Sequence, residues 1–266
     1  MTTFKDHFSA AAKAYRVFRP GYPTELFEWL AGVSPGRKAA LDCGCGNGQA
    51  AVGLAPYFGR VFAVDPSDEQ IRNAMPGENI EYRVAPAEQT GLGDGSVDLV
   101  VAGQALHWFD FDRFYPEVGR VTRPTGGVFA AFTYGLIRVG GEPDEVIGRF
   151  YHDVLADYWP PERRHVDTGY RSLPFPFPEI EAPAFELVDS WDLQRLTGYL
   201  ATWSAVKEYR RRTGTDPLPE VELELARAWG EPAPRQVRWP LALRVGRVNR
   251  RTPGHWKNHL NVEKSD

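Results

Sequence analysis

Sulfur is scarce in this 266-residue chain, which holds two cysteines and two methionines. The cysteines, Cys43 and Cys45, stand one residue apart, too close for an unstrained bridge, so no disulfide framework holds the fold together. No apolar run approaches the roughly 18 residues that a membrane-spanning helix requires. The opening stretch is broken by charge at Lys5, Asp6, Lys13 and Arg16 and lacks the apolar core of a secretory leader. Basic residues do not dominate: 31 Lys and Arg face 35 Asp and Glu, for a net charge of −4. Nucleic acid is therefore not an expected partner, because phosphate contacts need a basic surface. Internal repeats and low-complexity blocks are absent. Together these absences predict a cytoplasmic protein with no membrane partner; the oligomeric state stays open. What remains is 42% apolar and 25% charged residues, an ordinary globular balance, in a chain long enough to bury a large core without staples. Aromatics make up 13%, enough to line a ligand pocket as well as fill a core.

Short apolar runs alternate with helix-like stretches through the first half. The runs are 38–43 (KAALDC), 60–65 (RVFAVD), 79–84 (NIEYRV), 97–102 (VDLVVA) and 127–133 (GVFAAFT). Helical periodicity occupies 49–58, 68–73 and 110–122. Such alternation predicts βαβ units around a buried parallel sheet. Ser67 and Gln70 have capping-box spacing, and Asp110 is placed to cap the third helix. The rhythm breaks over 135–183, where a helix at 143–158 precedes the proline-rich LPFPFPEIEAP. An insertion of this kind is a surface excursion or a lid over a site. A strand is expected at 184–193, helices at 194–212 and 220–229, and a last strand at 235–245. Residues 249–266 form a basic tail without periodicity, expected to fray.

The densest signal is Leu41-Asp42-Cys43-Gly44-Cys45-Gly46-Asn47-Gly48, between the first strand and the first helix of that alternation. Three glycines in five residues let the backbone turn sharply and approach a ligand closely. Two readings compete. The dinucleotide fingerprint G-x-G-x-x-G/A is met by Gly44 and Gly46 but fails at Gln49, although Asp65 ends the next strand at a suitable distance for a ribose. The pattern D-x-G-x-G-x-G with an acid ending the second strand is met throughout, by Asp42, Gly44, Gly46, Gly48 and Asp65.

On this second pattern the chain resembles the class I S-adenosylmethionine-dependent methyltransferases. The likeness continues in Asp65-Pro66-Ser67, Ala87-Glu88, Gly95-Ser96-Val97-Asp98 and Gln104-Ala105-Leu106-His107-Trp108-Phe109-Asp110. It also covers Phe8-Ser9, Tyr15, Arg19-Pro20, Tyr22-Pro23 and Trp203-Ser204. Together these resemble the type 11 methyltransferases near the trans-aconitate methyltransferases, over about residues 4–248. The resemblance implies a Rossmann-like α/β fold with a seven-stranded, mostly parallel sheet and an antiparallel last strand. It implies a single domain over 1–248, with an N-terminal helical cap over about 1–32 and the 135–183 insertion covering the pocket.

The resemblance also implies roles. Asp42, Gly44, Cys45, Gly46, Asn47 and Gly48 shape the methionine side of the cofactor site. Asp65 holds the ribose and Pro66 flanks the adenine, with Ala87 and Glu88 at the adenine edge. Gln104 lies near the sulfonium, and Tyr15 and Arg19 close over the cofactor carboxylate. Trp108, Tyr22 and Tyr134 line the substrate pocket. Pro86 stands where relatives often carry a polar residue, and it offers no N–H.

His107 follows the fourth strand, at the end of such a sheet that receives ligands. It is the candidate catalytic base, against the plainer reading that it only holds its loop. A C-x-C pair with no further cysteine is a poor metal site, so no metal is expected. Arg210-Arg211-Arg212 reads as a solvated helix end. The expected activity is methyl transfer from S-adenosylmethionine to a small-molecule acceptor, a carboxylate in the nearest relatives, leaving S-adenosylhomocysteine. The alternatives are an NAD-dependent oxidoreductase and a non-catalytic S-adenosylmethionine-binding protein.

Overall fold

The computed structural model describes residues 20–249. Helix α1 (Thr24–Val33) leads into strand β1 (Ala39–Cys43), followed by α2 (Gln49–Leu54), β2 (Arg60–Asp65), α3 (Asp68–Arg72) and β3 (Ile80–Val84). The chain then crosses to β4 (Leu99–Gly103), a 3-10 turn (Leu106–Trp108), α4 (Phe111–Val121) and β5 (Gly127–Tyr134). The insertion carries α5 (Glu142–Arg149), a π-helical turn (Phe150–Val154), a 3-10 turn (Ala156–Tyr158) and α6 (Arg163–Asp167). Last come β6 (Phe185–Trp191), α7 (Leu193–Ala201), α8 (Ser204–Thr213), α9 (Leu218–Trp229) and β7 (Arg235–Val248).

The strands form one seven-stranded sheet in the order β3-β2-β1-β4-β5-β7-β6. All neighbours are parallel except β7, which runs against both β5 and β6. This is the Rossmann-like arrangement expected from the sequence. Central strands need apolar residues on both faces because helices cover both. Accordingly every residue of β1 and β5 is buried. Alternate residues face opposite layers. Ala40, Val101 and Ala130 pack toward α1 and α2, while Leu41, Val100 and Phe129 pack toward α4.

Two features of this topology build a site. The chain leaves β1 toward β2 and returns on its other side at β4, so a crevice opens at the carboxyl ends of β1 and β4. The β6–β7 ribbon is also displaced: Leu241 pairs with both Tyr134 and Phe185, and Arg235 pairs with Trp191. Residues 186–191 and 235–240 therefore extend past the carboxyl end of β5.

Several local expectations need correction. The helix expected at 49–58 ends at Leu54, just before Pro56, which has no N–H to continue the ladder. The helix at 143–158 is broken by the π-helical turn. The helix at 194–212 divides at Thr202–Trp203, where the Thr202 hydroxyl donates to the Tyr199 carbonyl at 2.6 Å. Asp110 precedes α4, but its side chain makes no cap; its amide instead donates to Glu88 at 2.8 Å. Ser67 does cap α3, accepting from the Gln70 amide at 3.3 Å, while its own amide goes to Asp65. Strand β4 starts at Leu99 rather than 97, and β7 continues to Val248. The short helix α6 forms at Arg163–Asp167, where no helical periodicity is expected. The basic tail beyond Asn249 lies outside the described residues.

Candidate functional site at the carboxyl edge of the sheet

The glycine loop follows β1 and is tied across to β2, with the Gly44 and Cys45 amides donating to the Val64 carbonyl at 2.8 and 3.0 Å. Gly44, Gly46 and Gly48 all have left-handed backbones, with φ of 67°, 53° and 87°. The three have different surroundings. A Cβ on Gly44 would stand 2.7 Å from the Ala105 Cβ, and one on Gly48 would stand 2.1 Å from the Tyr82 hydroxyl. A Cβ on Gly46 would meet nothing nearer than Gln70 Oε1 at 3.9 Å. The loop is thus locked at both ends and open in the middle.

Two buried acids face this opening. Asp65 ends β2 and accepts from the Gly46 amide and the Ser67 amide, each at 2.9 Å. Asp42 is 1% exposed, and its pKa is pushed up to about 7 by burial, with a contribution from Asp65 and against a hydrogen bond from the Ala51 amide. Among the described residues its Oδ2 is buried without a hydrogen-bond partner, and so is Nδ2 of Asn47. An unsatisfied buried polar atom costs free energy; two at one loop mark a place for a ligand that brings its own donors and acceptors. The residues therefore fit a cofactor with an amino-acid end and a ribose. The free thiols of Cys43 and Cys45 are buried and pushed well above their ordinary pKa by that burial. They are small core groups rather than nucleophiles.

Ala87 is buried beneath the adjoining edge, Glu88 accepts from the Asp110 amide, and Pro66 is exposed. Gln104, at φ 55°, is a non-glycine left-handed residue just past β4. Its amide is held at both ends by β5: Nε2 donates to the Tyr134 carbonyl at 3.0 Å and Oε1 accepts from Thr133 at 2.5 Å. Tyr22 stands edge-on to Phe132 at 4.9 Å and to Tyr134 at 6.3 Å. Aromatic contacts then continue from Tyr134 through Trp239, Tyr199 and Trp203 to Tyr151 in the insertion.

His107 lies on the 3-10 turn after β4, its Nδ1 2.9 Å from the Tyr170 hydroxyl. Burial, aided by the charges of Arg163 and His165, pulls its pKa down to about 3, so the imidazole is neutral at physiological pH. Such a group is a weak proton acceptor there. Trp108 packs on His107 at 4.8 Å and is 38% exposed. Tyr15 and Arg19 lie outside the described residues.

Sequence reasoning missed three side chains that shape this region: Tyr82 over Gly48, Tyr151 on the π-helical turn, and Tyr170 against His107. Tyr170 is fully buried at φ 63°. No spacing signals any of them, because each acts through tertiary contact.

A glycine loop and strand-end acid at the switch point of this sheet define the framework of a class I methyltransferase. Comparison with known proteins carries the assignment further. The family model described as a methyltransferase domain matches residues 41–130. A Dictyostelium discoideum protein named as a methyltransferase is 35% identical over 232 residues, covering 86% of this chain and 88% of that one. A solved structure from Anaeromyxobacter dehalogenans, named as a type II methyltransferase, is 57% identical with a TM-score of 0.83, covering 87% of this chain and 99% of that one. A Mycobacterium tuberculosis protein named as an uncharacterized methyltransferase is 38% identical over 147 residues, 53% of this chain and 59% of that one. The chain belongs to the class I S-adenosylmethionine-dependent methyltransferases, within the type 11 family. It is an enzyme, and its cofactor is S-adenosylmethionine.

Proposed function

We propose that the enzyme methylates a small-molecule carboxylate, in the cytoplasm and without a metal. The observation that carries the cofactor assignment is the loop that is open only over Gly46, flanked by Asp65 and by atoms of Asp42 and Asn47 that find no partner among the described residues. Asp42 and the loop take the methionine end. Asp65 accepts from the ribose hydroxyls, exchanging its contact with the Gly46 amide for charge-assisted bonds. Pro66, Ala87 and Glu88 bound the adenine. Gln104, held rigidly by Thr133 and Tyr134, fixes the floor near the sulfonium. Tyr15 and Arg19 close over the cofactor carboxylate from the N-terminal cap. Residues 1–248 act as one domain, with the insertion over the pocket.

When bound, S-adenosylmethionine supplies a methyl already activated on sulfur; the methyl passes to a carboxylate oxygen and the C–S electron pair stays on sulfur. A carboxylate is a nucleophile at neutral pH, so no general base and no metal is required. This agrees with a neutral, weakly basic His107, which then positions rather than abstracts. The remaining task is alignment and water exclusion, served by Tyr22, Tyr134 and Trp108 around the crevice.

The test is incubation with S-adenosylmethionine and parallel panels of short aliphatic carboxylic acids, alcohols and amines, read by mass spectrometry for a gain of one methylene mass. Methyl esters from acids are expected. Products from amines or alcohols alone would overturn the carboxylate reading while leaving the cofactor site intact.

A further inference from the structure

We propose that Tyr82 is a positioning residue for the cofactor: through the turn at residues 73–77 it sets Asn47 so that the Asn47 side-chain amide meets the amino-acid end of S-adenosylmethionine. This deepens the reading of the cofactor site above and rests on it.

Three glycines let the loop after β1 turn sharply, and equally let it adopt other shapes. A ligand that must first order its loop binds more weakly than one that finds it ordered. The first half of the loop is ordered by β2, which takes the amides of Gly44, Cys45 and Gly46 on Val64 and Asp65. The second half, Asn47 and Gly48, is held from β3. Met75, in the turn between α3 and β3, donates its amide to the Asn47 carbonyl at 2.9 Å. The Tyr82 hydroxyl donates to the Met75 carbonyl at 2.6 Å. The turn is seated on the same strand: the Ile80 amide donates to the Gly77 carbonyl at 3.2 Å, and a Cβ on Gly77 would stand 2.5 Å from Ile80 Cδ1. Tyr82 also meets the loop directly. A Cβ on Gly48 would lie 2.1 Å from its hydroxyl and 2.9 Å from Cζ, so the side chain rests on bare glycine backbone. Burial, with Cys45 and Asp42 adding, raises the Tyr82 pKa above the ordinary tyrosine value, so the hydroxyl keeps the proton it donates.

The group held in this way has a donor to spare. Asn47 is 5% exposed, and its Nδ2 finds no partner among the described residues. Other enclosed amides are satisfied: Asn79 Nδ2 donates to the carbonyls of Ala55 and Phe58, and Gln104 is bonded at both ends. An unmet buried donor costs free energy that a ligand bearing an acceptor recovers. The carboxylate of the cofactor's amino-acid end is such an acceptor, and a charged acceptor strengthens the bond.

The experiment measures binding of S-adenosylhomocysteine and of 5′-methylthioadenosine, which lacks the amino-acid end, by titration calorimetry well below the melting temperature. The proteins are wild type, Tyr82→Phe, Asn47→Ala and the double variant, with Tm recorded for each. A merely structural role for Tyr82 would lower Tm and leave the Kd of the folded protein unchanged. For Tyr82→Phe we expect the S-adenosylhomocysteine Kd to rise about 5- to 20-fold, with the 5′-methylthioadenosine Kd unchanged. Asn47→Ala should weaken S-adenosylhomocysteine at least as far. The double variant should bind no more weakly than Asn47→Ala, because Tyr82 acts through Asn47. An unchanged S-adenosylhomocysteine Kd in Tyr82→Phe, an equal loss with 5′-methylthioadenosine, or additive losses in the double variant would overturn the role of Tyr82 and leave the cofactor site standing. If wild type binds neither ligand, the reading of the site falls and this inference falls with it.

Discussion

Asp42 makes the stability of the ligand-free protein depend on pH in a way that one substitution can expose. Its carboxyl is 1% exposed and its pKa is raised from 3.8 to about 7 by burial. The folded protein therefore binds a proton that the unfolded chain has released between those values. The Asp42 contribution is fully present below about pH 4 and is lost as pH rises through 7. Three pKa units correspond to about 4 kcal/mol. His107 acts in the opposite sense: its pKa is lowered to about 3, so its contribution is lost as pH falls from 6.5 toward 3. The two windows overlap, and the wild-type curve alone is flattened. The difference between wild type and Asp42→Asn removes the histidine. Asparagine keeps an acceptor for the Ala51 amide and cannot ionise. Guanidinium unfolding at 25 °C, followed by circular dichroism between pH 4 and 8, should show the Asn variant gaining about 4 kcal/mol relative to wild type across that range. The offset at pH 4 reports the amide donor left where Oδ2 finds no partner, about 1–3 kcal/mol against the variant. A difference that stays constant with pH would refute the assignment of a proton to Asp42.

Three further outcomes follow from the packing. Gly48→Ala places a Cβ 2.1 Å from the Tyr82 hydroxyl at φ 87°, so strain and displacement together should cost about 2–4 kcal/mol; an unchanged Tm would show that the loop is not locked there. Trp239→Ala empties a fully buried site that contacts Trp191 at 4.8 Å and Tyr199 at 5.7 Å, and should cost about 3–5 kcal/mol in chemical unfolding. His107→Gln should leave the pH profile of kcat/KM without any lost limb near 6.5, because the imidazole is already neutral across that range; disappearance of such a limb would make His107 a titrating base.

The parallel core was legible because its strands are apolar throughout and their ends carry punctuation. β1, β2 and β5 fall within a residue or two of where the apolar runs lie. The glycine loop was legible for a related reason: a left-handed backbone needs glycine, so the chemistry leaves a trace in residue type. The insertion was not. Its helix breaks into a π-helical turn at Phe150–Val154, and Tyr151 on that turn meets Arg163 from the following helix, a contact that leaves no trace in composition. Asp110 leaves its side chain out of the cap: its carbonyl takes the Arg113 and Phe114 amides, while Glu88, distant in sequence, holds its amide. The division at Trp203 is likewise tertiary, since the ring sits among Tyr199, Phe150 and Tyr151. Local pattern reads what the backbone requires, and long-range side-chain contact overrides it where the pocket is built.

The most direct measurement is thermal melting of wild type and Asp65→Ala, each alone and with saturating S-adenosylhomocysteine or NAD. A ligand at about 100 times its Kd adds roughly 2.7 kcal/mol, an upward shift of several degrees at this chain length. We predict such a shift for wild type with S-adenosylhomocysteine, none with NAD, and loss of most of the shift in Asp65→Ala. Equal shifts in the two proteins would contradict the placement of the cofactor ribose on Asp65, at the carboxyl end of β2.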